Sequence, residues 1–540
     1  MPSAEAIRVF KEALAWHRAR RFKEALAAYD KAIALMPKNA EAFSNRGIVL
    51  QALGRFPEAL VSYDQAVGLD PAYAAAYNNR GNALQDLKRY DEAVASYDKA
   101  VALKPDYSEA FNNRGNALRA AKHFEEALES CEKAIGLNPD YAEAFNNRGL
   151  TLYELGRPAE ALASYDKAIS LKPNYADAFV NRGRPLFDLK RFEEALACSA
   201  KALAFKPGHA NAINFRSDIE LLLGRFAEGW ANHEWRWKVP ECTSRKPPLA
   251  APEWWGEDLK GHSIFVYMEQ GFGDTMQFAR YLPMLVKRGA KVTFSASRNL
   301  HRMLRPLCEG IEAVSAIKTS REFDFQCALM SLPLHFRTDL SSIPADVPYL
   351  HAEDGLAAQW KDRLGSDGFK IGIVWQGNPS GTIDRGRSIL LREFFPLARI
   401  KGVRLISLQK NHGLDQLAEV PPDIEIETLG NDFDSGPDAF LDTAAVMANL
   451  DLVISSDTSI AHLAGALGRP LWVALKYVPD WRWLLDREDS PWYPTARLFR
   501  QEHIGNWTGV FTRIERELRS LVTTNTVSWP AHAGHPGETK

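Results

Sequence analysis

Cysteine is scarce in this chain: five in 540 residues (Cys131, Cys198, Cys242, Cys308 and Cys327), with no C-x-x-C spacing. That usage argues against a disulfide framework or a thiolate metal site, and a reducing compartment fits it best. Long apolar runs are missing too. None approaches the roughly 18 residues of a membrane-spanning helix. The opening MPSAEAIRVFKEAL carries acidic residues where a signal peptide needs an unbroken apolar core. A cytoplasmic protein without a membrane span is therefore expected. No charge of one sign prevails either: 66 Lys plus Arg against 68 Asp plus Glu give no field suited to nucleic acid. What is present is an ordinary globular composition, 46% hydrophobic and 25% charged, in a chain long enough for about two to four domains.

The first half repeats itself. The triplet NRG recurs at Asn45, Asn79, Asn113, Asn147 and Asn181, a constant step of 34 residues. In register come FPEAL, YDEAV, FEEAL, PAEAL and FEEAL from Phe56, Tyr90, Phe124, Pro158 and Phe192, and closing prolines at Pro71, Pro105, Pro139, Pro173 and Pro207. FKEAL at Phe22 with Pro37 begins the series, and FAEGW at Phe226 is a worn last copy. This punctuation resembles the tetratricopeptide repeat. In the unit 74–107, small Gly81 and Ala93 stand where antiparallel helices approach, Tyr77 and Tyr97 fill the space beside them, and Pro105 ends the second helix. About seven units over residues 1–238 are expected, stacked as an α-solenoid with one groove-like face.

The NRG asparagines fall in one line along such an array. An amide both donates and accepts, so Asn45, Asn79, Asn113, Asn147 and Asn181 can grip an extended protein or peptide backbone without reading its sequence. The arrangement resembles the asparagine ladder of protein O-GlcNAc transferases. The alternative is that each Asn bonds the neighbouring helix and sets repeat register.

After Trp237 the period fails, and residues 239–262, rich in Pro and charge, read as a linker. From Ser263 short apolar runs alternate with helical ones, as βα units around parallel sheets do. Two blocks are expected, 263–352 and 353–522, each a Rossmann-like α/β half, followed by a loose tail, 523–540. Ligands of open α/β sheets lie outside the carboxyl ends of the strands. There DLVISS passes into DTSIAHLAG. Asp457 or Thr458 caps the helix, its first N–H groups suit a phosphate, and His462 lies one turn on from Thr458. A plain N-cap is the simpler use of the same residues.

DTSIAHLAGALGRP resembles the D-[ST]-G-x-x-H-x-A-A-x-G-x-P signature of the lipopolysaccharide heptosyltransferase family, and MEQGFGDTMQFARYLPML resembles that family's G-D…P segment. Together they span most of residues 260–500. The resemblance implies the two-Rossmann GT-B glycosyltransferase fold, and repeats ahead of such a domain are similar to the layout of O-GlcNAc transferases. It implies that Asp274 is the general base facing an acceptor hydroxyl, beside Gly271 and Gly273, with inversion at the sugar. It places a nucleotide-diphosphate sugar, as co-substrate and with no metal or other cofactor, on Thr458, Ser459, Asp457 and His462. Arg385 and Arg387 in WQGNPSGTIDRGRS would neutralise charge; Trp375, Gly377 and Asn378 would shape the pocket, with Gln409 and Lys410 as further candidates. Two departures stand out: Ser459 replaces the family's glycine, and no glutamate follows LISLQ at the family's nucleoside position. The lone D-x-D, Asp432–Asp434, lies in a loop. The expected function is sugar transfer to an acceptor, in first place a protein held by the repeats; the alternative is a scaffold carrying a transferase-like domain without turnover.

Overall fold

The computed structural model describes residues 3–240, 242, 244–315, 321–379 and 384–525. The expected tail, from residue 526 on, lies outside them. The chain divides into two compact units, Met1–Ala212 and Ile213–Lys540.

The first unit is a stack of helical hairpins: α1 (Ala4–Arg18) with α2 (Phe22–Leu35), α3 (Ala40–Ala52) with α4 (Phe56–Leu69), α5 (Ala74–Asp86) with α6 (Tyr90–Leu103), α7 (Ser108–Ala120) with α8 (Phe124–Leu137), α9 (Ala142–Glu154) with α10 (Pro158–Leu171), and α11 (Ala176–Asp188) with α12 (Phe192–Phe205). The second to fifth hairpins each close on a glycine, where the first has Ala13. A Cβ on Gly81 would lie 2.5–2.9 Å from ring atoms of Tyr97, and Gly47 and Gly149 face Tyr63 and Tyr165 in the same way. Where the tyrosine is replaced, at Cys131, the thiol lies 2.9 Å from a Cβ on Gly115. Two of the buried tyrosines find acceptors, Tyr63 on Gln51 at 2.5 Å, and Tyr97 on Asn82 at 2.7 Å and Gln85 at 2.5 Å. One added methyl should therefore separate crowded from open glycines. Gly81→Ala is expected to cost about 1–3 kcal/mol by overpacking. Gly68→Ala, inside α4 with nothing within 4 Å, should be neutral or gain up to about 1 kcal/mol. Thermal melts followed by helical circular dichroism check the contrast.

The NRG arginine is the clip between hairpins. Arg80 donates 2.6 Å to Asp64, 16 residues back, and 2.5 Å to Ser96, 16 residues on. Arg46, Arg114 and Arg148 repeat the pattern with Asp30 and Ser62, Asp98 and Ser130, and Glu132 and Ser164.

A further hairpin, α13 (Ala210–Leu222) and α14 (Phe226–His233), keeps the repeat's form, yet from Ile213 on it groups with the second unit. Trp230 at its end donates to the Thr338 carbonyl at 3.0 Å. A 3₁₀ turn follows, Glu234–Lys238, whose Arg236 forms a buried pair with Glu269 at 2.6 Å. The stretch expected as a linker is docked as well: Trp254 is fully buried, and its N–H donates 2.8 Å to the Gln326 carbonyl.

Two parallel sheets follow. In the first, β1 (Ser263–Tyr267), β2 (Lys291–Ser295), β3 (Ile311–Val314) and β4 (Phe325–Ala328) lie in the order β3-β2-β1-β4. Beside them are α15 (Phe272–Phe278), α16 (Leu282–Lys287), α17 (His301–Leu304) and α18 (Leu332–His335), whereas α19 (Asp354–Leu364) packs on α21 (Leu441–Ala448) of the second sheet, its Trp360 indole donating 2.8 Å to Asp442. In the second, β5 (Phe369–Val374), β6 (Val403–Ser407), β7 (Ile426–Glu427), β8 (Leu452–Ser456), β9 (Leu471–Leu475) and β10 (Ala496–Arg500) lie in the order β10-β9-β8-β5-β6-β7. Its helices are α20 (Phe395–Ala398), α21 (Leu441–Ala448), α22 (Ser459–Ala466) and α23 (Trp507–Asn525). The core of the second sheet joins Ile371, Ile373, Leu452 and Ile454 to Val510, Phe511, Ile514 and Leu518 of α23, a spacing that lines one helix face. Because α23 runs to Asn525, the ordered fold passes the expected boundary at 522. The stretch GLDQLAEV forms a 3₁₀ turn, Leu414–Glu419. Among the described residues no helix is long and apolar enough to cross a membrane.

Candidate functional site

The carboxyl ends of β1 and β8 each lead straight into a helix, α15 and α22, and the first turns of these helices pack together. A Cβ on Gly273 would stand 3.0 Å from His462 Cδ2 and 3.3 Å from Ser459 Cα, so only glycine allows the approach. Gly271 is the N-cap of α15, and its N–H donates 3.1 Å to Asp274 Oδ2. Asp274 is thus both a cap and a carboxylate at the cleft; 22% of its side chain remains exposed.

On the other side Thr458 is the extended N-cap of α22, its hydroxyl 3.1 Å from Ser455 Oγ. The N–H groups of Ser459 and Ile460, in the first turn, have no helical acceptor available. Burial and the neighbouring Asp480 push the Asp457 carboxyl up to about 6, against the pull of the Trp483 indole, Arg387 and Arg482. Burial, then the charge of Arg482, pushes His462 down to about 3. His462 is therefore a neutral ring at physiological pH, stacked on Trp483 at 5.6 Å with Nδ1 3.0 Å from the Tyr493 hydroxyl. It brings no positive charge to an anion; the tautomer in which Nδ1 accepts from Tyr493 is the one that leaves a proton on Nε2 to donate.

The centre of the cluster is a residue that the sequence reading did not select, Arg482. Its Nη2 donates 2.5 Å to Asp274, Nε 2.8 Å to Gln277 Oε1, and Nη1 2.8 Å to Asp480. Burial raises the Asp274 carboxyl above its ordinary range, with Arg482 opposing. At Asp480 burial also works upward, but Arg482 outweighs it and holds the carboxyl low. The available signal was an Asp and an Arg set within PDWRW: charges inside an aromatic run are buried, and buried charges are paired.

The loop after β5 supplies further positive charge. Arg387 lies against Gly377, where a Cβ would stand 2.3 Å from Nη2, and pairs with Asp384 at 3.3 Å. Lys476, just past β9 and also unselected, donates 3.3 Å to the Arg385 carbonyl. Arg385 and Asn378 are exposed; residues 380–383 of this loop lie outside the described residues. Three expected pocket residues serve the scaffold instead. Trp375 is fully buried, its indole donating 3.1 Å to the Gly413 carbonyl. Gln409 turns inward: its Oε1 accepts from the Trp375 and Gln376 N–H groups, and its Nε2 donates to the Gln376 and His412 carbonyls. The Lys410 ammonium bonds the Phe433 carbonyl. The D-x-D side chains diverge, Asp432 to Arg363 at 2.8 Å and Asp434 to the Asp442 N–H at 2.9 Å. Among the described residues no group of three His, Cys, Asp or Glu is placed to hold a metal.

In the repeats, Asn113 donates to Asn78 at 3.1 Å, Asn147 to Asn112 at 2.8 Å and Asn181 to Asn146 at 3.0 Å, each reaching the preceding repeat. Asn45 and Asn79 hold the equivalent half-buried positions. The ladder therefore ties repeats together: the Asn113 amide also donates 3.2 Å to Asn82, while a single donation to the preceding repeat leaves an amide its second hydrogen and oxygen lone pairs.

Residues 112–176 and 74–107 match the tetratricopeptide repeat, and residues 21–54 and 52–88 match the TPR repeat. The first unit is an array of these repeats. Protein FlbA of Caulobacter vibrioides is 28% identical over 335 residues, 57% of this chain and 55% of FlbA. The chain thus spans about half the length of that curated relative. Among solved structures, YrrB, described as a TPR protein with an unusual peptide-binding site, is 30% identical over 34% of this chain and 96% of its own, with a TM-score of 0.29. MamA is 27% identical over 30% of this chain and 96% of its own, with a TM-score of 0.28.

Proposed function

We propose that the second unit is a glycosyltransferase of the GT-B type, its two parallel sheets being the Rossmann-like halves, and that it moves a sugar from a nucleotide-diphosphate donor to an acceptor with inversion. The observation that carries this is the meeting of Asp274 with the first turn of α22 at the carboxyl ends of both sheets. In this reading the acceptor hydroxyl oxygen bonds to the anomeric carbon as the carbon–oxygen bond to the diphosphate breaks. The hydroxyl proton passes to Asp274, and the electron pair leaves with the diphosphate. The Ser459 and Ile460 N–H groups, the Thr458 hydroxyl, His462 Nε2 and the charges of Arg387 and Lys476 receive that developing charge. The repeats recruit a protein acceptor through the free amide groups of the asparagine line.

A second reading, a scaffold without turnover, draws on the 2.5 Å engagement of Asp274 by Arg482 and on Ser459 in place of glycine. Calorimetric titration with UDP, GDP, ADP and CDP and their sugars separates the two. Saturable binding of one nucleotide, weakened about tenfold or more in Asp457→Ala/His462→Ala, is the expected result. No binding by folded protein across the panel would overturn the transferase.

A further inference from the structure

We propose that Arg482 is the positioning residue of the base, fixing the orientation and the charge of the Asp274 carboxylate for the transfer step; the inference rests on the transferase reading above. The guanidinium is 7% exposed and cannot swing. Three side chains hold it, Asp274 and Gln277 on α15 and Asp480 beyond β9, and its face lies over the Trp481 ring at 4.3 Å. Asp274 in turn is gripped at both oxygens, Oδ1 by Arg482 and Oδ2 by the Gly271 N–H. A carboxylate held at both oxygens, with an exposed edge towards the cleft, has one orientation to offer an incoming hydroxyl. This is the base-and-orienter arrangement that acid–base catalysis requires.

The charge argument points the same way. The charges that act on Asp274 are Arg482 and Asp480, both beyond β9; Asp457, neutral His462, Arg387 and Arg280 stand around that pair rather than on Asp274 itself. Of these, Arg482 acts most strongly on Asp274 and favours its ionised form, while burial and Asp480 favour the neutral form. A base must be ionised to take a proton. Without Arg482 the buried carboxyl would keep its proton to higher pH; without Asp480 it would lose it at lower pH. The two neighbours therefore have opposite signs.

The test is infrared titration of the Asp274 carboxyl in the full chain, obtained by subtracting the matching Asp274→Asn spectrum, with parallel calorimetry using UDP, GDP, ADP and CDP. In Arg482→Gln the titration midpoint should rise by about one pH unit or more, and Arg482→Lys should restore most of the shift. Asp480→Asn, nearly isosteric and still able to accept from Arg482, should lower the midpoint, which keeps the inference open to refutation if Arg482→Gln folds poorly. Nucleotide affinity should change less than about threefold in Arg482→Lys. A midpoint unmoved in Arg482→Gln and Asp480→Asn, with nucleotide binding intact, overturns this inference alone. So does a tenfold loss of affinity with no movement of the midpoint, which would make Arg482 a phosphate ligand. If the midpoints move as stated but no nucleotide binds the wild-type protein, the transferase reading falls, and the base role with it.

Discussion

Arg236→Ala is expected to lower the stability of the second unit by about 3–5 kcal/mol, the range for leaving one partner of a buried ion pair alone. The side chains of Arg236 and Glu269 are 7% and 2% exposed. Arg236 meets Glu269 at 2.6 and 2.9 Å and also reaches Glu234, Ser331 and the His233 carbonyl. Alanine would leave the Glu269 carboxylate with the Met330 N–H, 3.1 Å away. The pH dependence has a definite sign. Burial already raises the Glu269 carboxyl above its ordinary value despite Arg236, and losing the arginine raises it further. A carboxyl raised in the fold favours folding below its unfolded pKa and loses that contribution as pH rises through the folded value. The deficit of Arg236→Ala should therefore widen between acid and neutral pH. Arg236→Met/Glu269→Leu should recover most of the loss, since an apolar pair of similar volume replaces a buried ion pair at little cost. Thermal unfolding followed by tryptophan fluorescence at pH 5 and pH 8 measures all three. A loss below about 1 kcal/mol in the single variant would mean that the pair is screened like a surface bridge. Glu269 lies two residues before Gly271, so this pin also steadies the turn that carries Asp274.

That pin shows where sequence reading stops. The 34-residue step was legible because every repeat prints its own small residue, aromatic and proline. The passage from β8 into α22 was legible because strand, small polar residues and helix are contiguous. Pairings that join distant segments leave no local mark. Arg482 meets Asp274 and Gln277 across 208 and 205 residues, and the NRG arginine finds its partners 16 residues away in both directions. Trp375 and Gln409 show a subtler limit. Both stand just past strand ends, where ligands bind, but position along the chain does not say whether a side chain faces the cleft or the core. Gln409 makes four bonds to backbone behind the strands, and Trp375 fills the core.

Asp274→Asn is expected to lower turnover by about 10²–10⁴-fold, the usual contribution of a positioned base, while nucleotide-diphosphate affinity stays within about threefold of wild type. In the proposed transferase, binding and transfer separate because the diphosphate falls to α22 and the β5 and β9 loops, and the acceptor hydroxyl to Asp274. The amide keeps the shape of the carboxylate, but its single oxygen can accept from Arg482 or from the Gly271 N–H and not from both. Stability supplies an independent check. The Asp274 carboxyl is raised in the fold, chiefly by burial, so its contribution to stability is full below its unfolded pKa and is lost as pH rises through the folded value. At pH 8 the wild-type protein therefore holds a charge that its surroundings disfavour, and Asp274→Asn removes it. The melting temperature of the variant relative to wild type should therefore be higher at pH 8 than at pH 4. Turnover of the donor that calorimetry identifies, together with melting at both pH values, tests the account. An Asp274→Asn protein that turned over within about threefold of wild type would remove Asp274 as the base. One that melted far below wild type at pH 8 would make the residue a structural cap, held by Arg482 for the sake of the fold.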